Sequence, residues 1–80
     1  GMRAPPNMGR EYVDAFDAIF PRLAADHGVP LYPFFLDGVA ADPDLNQPDG
    51  IHPNPDGVAE IVSRITPAAK ALVRRAENPR

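Results

Sequence analysis

No cysteine occurs among the 80 residues, which removes a disulfide frame, a thiolate nucleophile and a zinc ribbon together and leaves the redox compartment open. Hydroxyl nucleophiles are nearly as scarce, Ser63 being the only serine and Thr66 the only threonine. No apolar run approaches the roughly 20 residues of a membrane-spanning helix, so no integral membrane segment is expected. No basic n-region, apolar h-region and cleavage site mark a signal peptide. Eight lysines and arginines stand scattered among eleven aspartates and glutamates, for a formal charge of -3. That pattern offers no footprint for nucleic acid. What remains is a chain with 44% hydrophobic residues, short enough that it forms one small unit with a thin core.

The order of elements reads as helix, strand, long loop, helix. From about Gly9 to His27, Tyr12, Val13, Phe16, Ile19, Phe20, Leu23 and Ala24 form one apolar stripe, and Gly28 is the natural stop. Pro21 falls on the polar face, so a bend around a core is expected there rather than a break. The aromatics Phe16, Phe20, Phe34 and Phe35 read as core. "VPLYPFF", Val29 to Phe35, is apolar throughout, as a strand covered on both faces would be. Pro30 and Pro33 cannot donate to a ladder, which assigns that strand to a sheet edge or a bulge. The last helix has Asn54 as its cap, Pro55 at its first position and Asp56 in its first turn. Its stripe of Val58, Ile61, Val62, Ile65, Ala69, Leu72 and Val73 keeps phase through Pro67, although Thr66-Pro67 could also start a separate helix. Arg74, Arg75 and Arg80 read as a solvated helix end.

A single strand has nothing to pair with. Helix-then-strand is the closing half of a right-handed strand-helix-strand crossover, so partner strands are expected upstream of Gly1. A glycine left by a cleaved tag before an initiator methionine is also compatible with "GM".

The chemistry concentrates in "PDGIHPNPDG", Pro48 to Gly57. The loop that holds it, roughly Leu36 to Pro53, is longer than compact domains usually carry, and it leaves the carboxyl end of the expected strand, the rim where open α/β sheets bind ligands. Gly50 admits backbone angles other residues avoid, and Pro53 pushes His52 out of the helical region. A tight turn should therefore bring the Asp49 carboxylate to His52 Nδ1, within about 3.2 Å. An imidazole held in this way has Nε2 free as a base, and the carboxylate stabilises the imidazolium once a proton is taken. These are two members of a hydrolase triad. The nucleophile is the missing one: Ser63 lies about 200° round the last helix from Ile61, facing solvent, and Thr66 caps or precedes Pro67. Alone, the chain is not expected to perform covalent hydrolysis. His27 sits in a helical last turn, where it meets the dipole rather than a substrate. Asn54 reads as a cap rather than an oxyanion donor. Asp49, His52 and Asp56 suggest a metal site, but Asp56 is better explained as a helix-start acid.

With those residues in place, the sequence resembles the C-terminal part of the SGNH hydrolases, the GDSL-type esterases and lipases, and most closely their bacterial thioesterase, lysophospholipase and arylesterase branch. The likeness runs from "GMRAPPNMGREYVDAF" through "VPLYPFFLDGV" to "DGIHPNPDG" and the final helix. It implies that Asp49 and His52 complete a Ser-His-Asp triad. It also implies that "GMRAPPN" borders an acyl-chain pocket, which makes Met2, Pro5 and Ile51 substrate-contact positions. The fold implied is α/β, a three-layer α/β/α flavodoxin-like domain of which residues 1–80 are the C-terminal fragment. The blocks carrying the serine and the oxyanion-hole glycine and asparagine are absent here and would lie upstream.

The expected function is accordingly a segment of a serine esterase acting on carboxylic ester or thioester bonds in acyl-ester, lysophospholipid or aryl-ester substrates. No cofactor is implied, and the partners are a small ester or thioester and the remainder of the hydrolase domain. The resemblance alone suggests a periplasmic or secreted protein. Two readings from other classes stay open: a metal-assisted phosphoesterase fragment, which a chelator would inactivate, and a non-catalytic helix-strand-helix interaction module, which a stable 80-residue monomer would favour.

Overall fold

A computed structural model describes residues 1–77 and places three α-helices in them: α1 (Arg10–Asp17), α2 (Ile19–His27) and α3 (Pro55–Glu77), preceded by a 3₁₀ turn at Pro6–Met8. The chain divides into two compact units, one from Gly1 to Phe35 and the other from Leu36 onward.

In the first unit the single expected helix is interrupted at Ala18. Pro21 has no N–H to give the carbonyl of Asp17, so the ladder loses a bond one turn ahead of the ring. Ala18 itself keeps right-handed helical angles (φ -76°, ψ -16°) and donates to Asp14 O at 3.2 Å, so the helical path continues through the interruption. Tyr12, Phe16 and Phe20, spaced four apart, form a ring ladder with centroids 6.1 and 5.7 Å apart. At the end of α2, Gly28 N–H reaches Ala25 O at 3.3 Å and Val29 N–H reaches Ala24 O at 3.0 Å, the paired bonds of a Schellman cap. His27 lies exposed in that last turn.

The expected strand at Val29 to Phe35 does not form. Among the described residues there is no strand, because a ladder needs a second backbone alongside and only Gly1 supplies one. The Gly1 amino group donates to Tyr32 O at 2.7 Å, and Phe35 N–H donates to Gly1 O at 2.8 Å. The segment after Gly1 is tied in by Ala4 N–H on Asp17 Oδ1 at 2.8 Å and by the Arg3 guanidinium, 4.6 Å from the centre of the Phe34 ring. Phe16, Phe20 and Phe34 are partly covered, whereas Tyr12, Ile19 and Leu23 of the helical stripe, and Phe35 beyond it, stay exposed.

The second unit opens with a run of turns, Val39 N–H on Leu36 O (2.9 Å), Asp42 N–H on Val39 O (3.2 Å) and Leu45 N–H on Asp42 O (3.1 Å). Val39 (1% exposed) and Ile61 of α3 are its buried apolar side chains. α3 begins as its sequence dictates: Asn54 Oδ1 accepts Gly57 N–H at 2.9 Å, with Pro55 at the first position and Asp56 beside it. Its first turn lies so close to the loop that a Cβ on Gly57 would overlap the carbonyl oxygen of Leu45. Arg64 joins the same helix to the loop, bonding Glu60 at 2.7 Å and Asp37 at 3.2 Å. The helix runs unbroken through Pro67, so no second helix starts at Thr66. Pro67 is exposed, where its ring meets solvent, and the Thr66 hydroxyl bonds back to Val62 O. Val58, Val62, Leu72 and Val73 remain about half exposed. Arg74 and Arg75 are exposed in the last turn, and Arg80 lies outside the described residues. No helix is long and apolar enough to cross a membrane among the described residues.

Candidate active site

Asp49 and His52 sit on a turn whose two legs are bonded to each other. Asn46 and Pro53 form an antiparallel bridge, flanked by Asn54 N–H on Leu45 O at 3.0 Å and Gln47 N–H on His52 O at 2.7 Å. Inside the bridge, Gly50 N–H returns to Gln47 O at 2.9 Å, and Gly50 takes φ +71°, a left-handed angle that costs a side-chain-bearing residue energy. This reversal points the Asp49 carboxylate back along the chain. Oδ1 accepts the N–H of Ile51 at 2.9 Å and of His52 at 3.1 Å, while Oδ2 lies 2.6 Å from His52 Nδ1. The separation expected from the sequence is met, and the imidazole is fixed by a carboxylate that is itself held at its other oxygen.

The charge state follows from these bonds. The bond to His52, and after it the backbone N–H groups of Ile51 and His52, lower the Asp49 carboxyl from its ordinary 3.8 to about 2. An ionised carboxylate can only accept, so the hydrogen in the 2.6 Å contact resides on Nδ1. In the neutral imidazole that leaves the lone pair on Nε2. That nitrogen makes no hydrogen bond among the described residues, and the side chain is 69% exposed. The imidazole is thus held at Nδ1 and open to solvent at Nε2.

Of the other expected site residues, Ile51 is brought to the same turn and is 71% exposed. Met2 and Pro5 are exposed in the first unit. The hydroxyl candidates lie elsewhere: Ser63 is exposed on α3, and Thr66 is bonded to its own helix. No group of three or more His, Cys, Asp or Glu suited to a metal ion occurs among the described residues.

Two asparagines do more than their sequence positions suggested. Asn54 was legible as a cap, but its Nδ2 also donates to Asp44 O at 2.9 Å and Asn46 O at 3.3 Å, binding the loop to the helix start. Asn46 was not singled out at all. Its Nδ2 donates to Val39 O and Asp42 O, each at 2.8 Å. The only sequence signal for it is its place in a run of turn formers, Asp42 to Gly50, where Asn commonly bonds nearby backbone.

No family model matches the chain. Over 72 residues, 90% of its length, it is 44% identical to thioesterase 1/protease 1/lysophospholipase L1 of Escherichia coli (strain K12), and it covers 35% of that protein. The crystal structure of TesA superimposes with a TM-score of 0.80 at 36% identity, over 90% of this chain and 40% of that one. That of AlinE4, an SGNH-hydrolase family esterase, gives 0.58 at 53% identity, over 90% of this chain and 39% of that one. The chain thus spans little more than a third of the length of the relatives it matches.

Proposed function

Proceeding from a chain that is, along nine-tenths of its length, a homologue of SGNH-hydrolase esterases, we propose that it forms the C-terminal part of a serine esterase domain and supplies the His52 and Asp49 of its Ser-His-Asp triad. The observation that carries this reading is the 2.6 Å contact from Asp49 Oδ2 to His52 Nδ1 beneath an open Nε2. In the complete domain the remainder of the protein brings a serine to Nε2. As the serine oxygen attacks the carbonyl carbon of a carboxylic ester or thioester, its proton passes to Nε2, and the imidazolium is stabilised by Asp49. That proton then goes to the departing alcohol or thiol. Water, deprotonated at the same nitrogen, then attacks the acyl carbon, and the serine oxygen leaves and takes that proton back, releasing the carboxylic acid. No cofactor enters either step.

The sheet belongs to the same reading. In the complete three-layer domain residues 29–35 act as a strand, and the pairing of Gly1 supports this: it gives its nitrogen to Tyr32 O and its carbonyl to Phe35 N–H, the two-sided bonding of parallel neighbours with one extra residue at the Pro33 bulge. The loop bearing Asp49 and His52 then leaves the carboxyl end of that strand. Met2 and Pro5 in the first unit and Ile51 in the second are each exposed, as residues that meet the acyl part of a substrate must be.

The test is made on the complete protein with a chromogenic ester. His52→Ala should lower kcat by roughly 10⁴- to 10⁶-fold. Ser63→Ala should leave it unchanged, and so should a chelator. Turnover that survives His52→Ala but not Ser63→Ala would place the nucleophile within this chain and end the proposal.

A further inference from the structure

Asn46 is the buried polar side chain of the described residues, 9% exposed, and its carboxamide nitrogen bonds to neither Asp49 nor His52. What it does touch is backbone. Nδ2 donates to the carbonyl of Val39, itself the most deeply buried residue here, and to the carbonyl of Asp42. Each of those carbonyls also accepts a turn N–H, from Asp42 at 3.2 Å and from Leu45 at 3.1 Å, so the carboxamide is a second donor that ties both turns to the leg of the Asp49–His52 turn. The same residue pairs with Pro53 across the bridge, and its own carbonyl accepts from Asn54 Nδ2 at 3.3 Å. Asn46 therefore links the early turns, the bridge under the Asp49–His52 turn and the start of α3.

We propose that Asn46 is a positioning residue for His52: it fixes the base of the turn against the Val39–Asp42 carbonyls and so sets where Nε2 stands for the incoming serine. The proposal rests on the triad reading above. Asn46 acts through the bridge, since the bonds within the turn, from Asp49 to Ile51 and His52, do not involve it. Losing it should leave the Asp–His pair assembled but displaced, and a displacement of about 1 Å costs roughly 10²-fold in rate.

The experiment is a double-mutant cycle in the complete protein, read by kcat, KM, thermal unfolding and the downfield proton resonance of His52 Nδ1–H. Asn46→Ala is expected to lower kcat about 10- to 100-fold at unchanged KM, with the Nδ1–H resonance still present. In the Asp49→Asn background, where the imidazole no longer works as a base, the same change should cost less than about threefold. A purely structural residue would cost the same in both backgrounds, and that result, or wild-type kcat in Asn46→Ala, overturns the proposal. If Asn46→Ala does not fold, Asn46→Ser, which keeps one donor, is read in the same cycle. If neither folds, Asn46 serves the fold alone and the positioning role is rejected. An intact rate in Asp49→Asn sinks the triad reading and this inference with it. A normal Asp49→Asn defect with additive Asn46 effects sinks this inference only.

Discussion

Replacing Asp49 by asparagine changes one oxygen to an amino group, and the bonds around it decide where that group goes. The wild-type carboxylate receives two backbone N–H groups on Oδ1 and the imidazole on Oδ2. An asparagine has one acceptor to offer, and two backbone donors outweigh a single ring donor, so its oxygen should stay toward Ile51 and His52. The amino group is then left facing Nδ1. To accept from it, Nδ1 must lose its hydrogen, which moves to Nε2 and removes the lone pair that the proposed mechanism uses to take the serine proton. The turn survives while the tautomer is inverted, so kcat should fall by about 10⁴-fold with KM nearly constant. Initial-rate hydrolysis of a soluble p-nitrophenyl ester by the complete protein measures it, with circular dichroism to establish folding. Combining Asp49→Asn with His52→Ala should add nothing to His52→Ala alone. A folded Asp49→Asn enzyme within about threefold of wild-type kcat, or one whose whole defect lies in KM, would refute the reasoning.

The bonds that lower the Asp49 carboxyl to about 2 also set the turn's pH dependence: the folded value lies below the ordinary 3.8, so the stabilisation is complete above about pH 4 and disappears as the pH falls toward 2. The carboxyl carbon of Asp49, followed by NMR in the complete protein, should titrate near 2, and a midpoint at the ordinary value would contradict the hydrogen-bonding described here. The isolated 80-residue chain should show no cooperative thermal transition as a dilute monomer, because its buried apolar side chains among the described residues are Ala4, Val39 and Ile61 while the helix stripes stand half exposed. A sharp, reversible melt from a monodisperse monomer would overturn that expectation.

What could be read from the sequence is what is decided over short distances. The Asn54-Pro55-Asp56 start of α3, the Gly28 stop of α2 and the Asp49–His52 contact each depend on residues no more than five apart. The interruption at Ala18 is local too, but a stripe pattern records which face is apolar and not which carbonyl loses its donor, so the expected bend appeared as two helices. The strand at Val29 to Phe35 failed for the opposite reason: apolar composition declares a readiness to pair, and pairing requires a second backbone. Asn46 escaped notice because its partners are carbonyls, which every residue has, so nothing in the sequence marks Val39 or Asp42 as its acceptors.

The cross-links around the Asp49–His52 turn have a kinetic consequence. The longest of them joins Asn54 to Asp44, ten residues away. Loops of about ten residues close in roughly 10–100 ns, far faster than a domain dominated by distant strand pairings folds. The encounter of Asp49 with His52 therefore needs no guidance from the rest of a domain, and during folding the pair can meet and part many times before any sheet exists. The rate-determining search belongs to whatever must be brought to Nε2 from far along the chain, so substitutions in the 44–54 segment should alter the unfolding rate more than the folding rate.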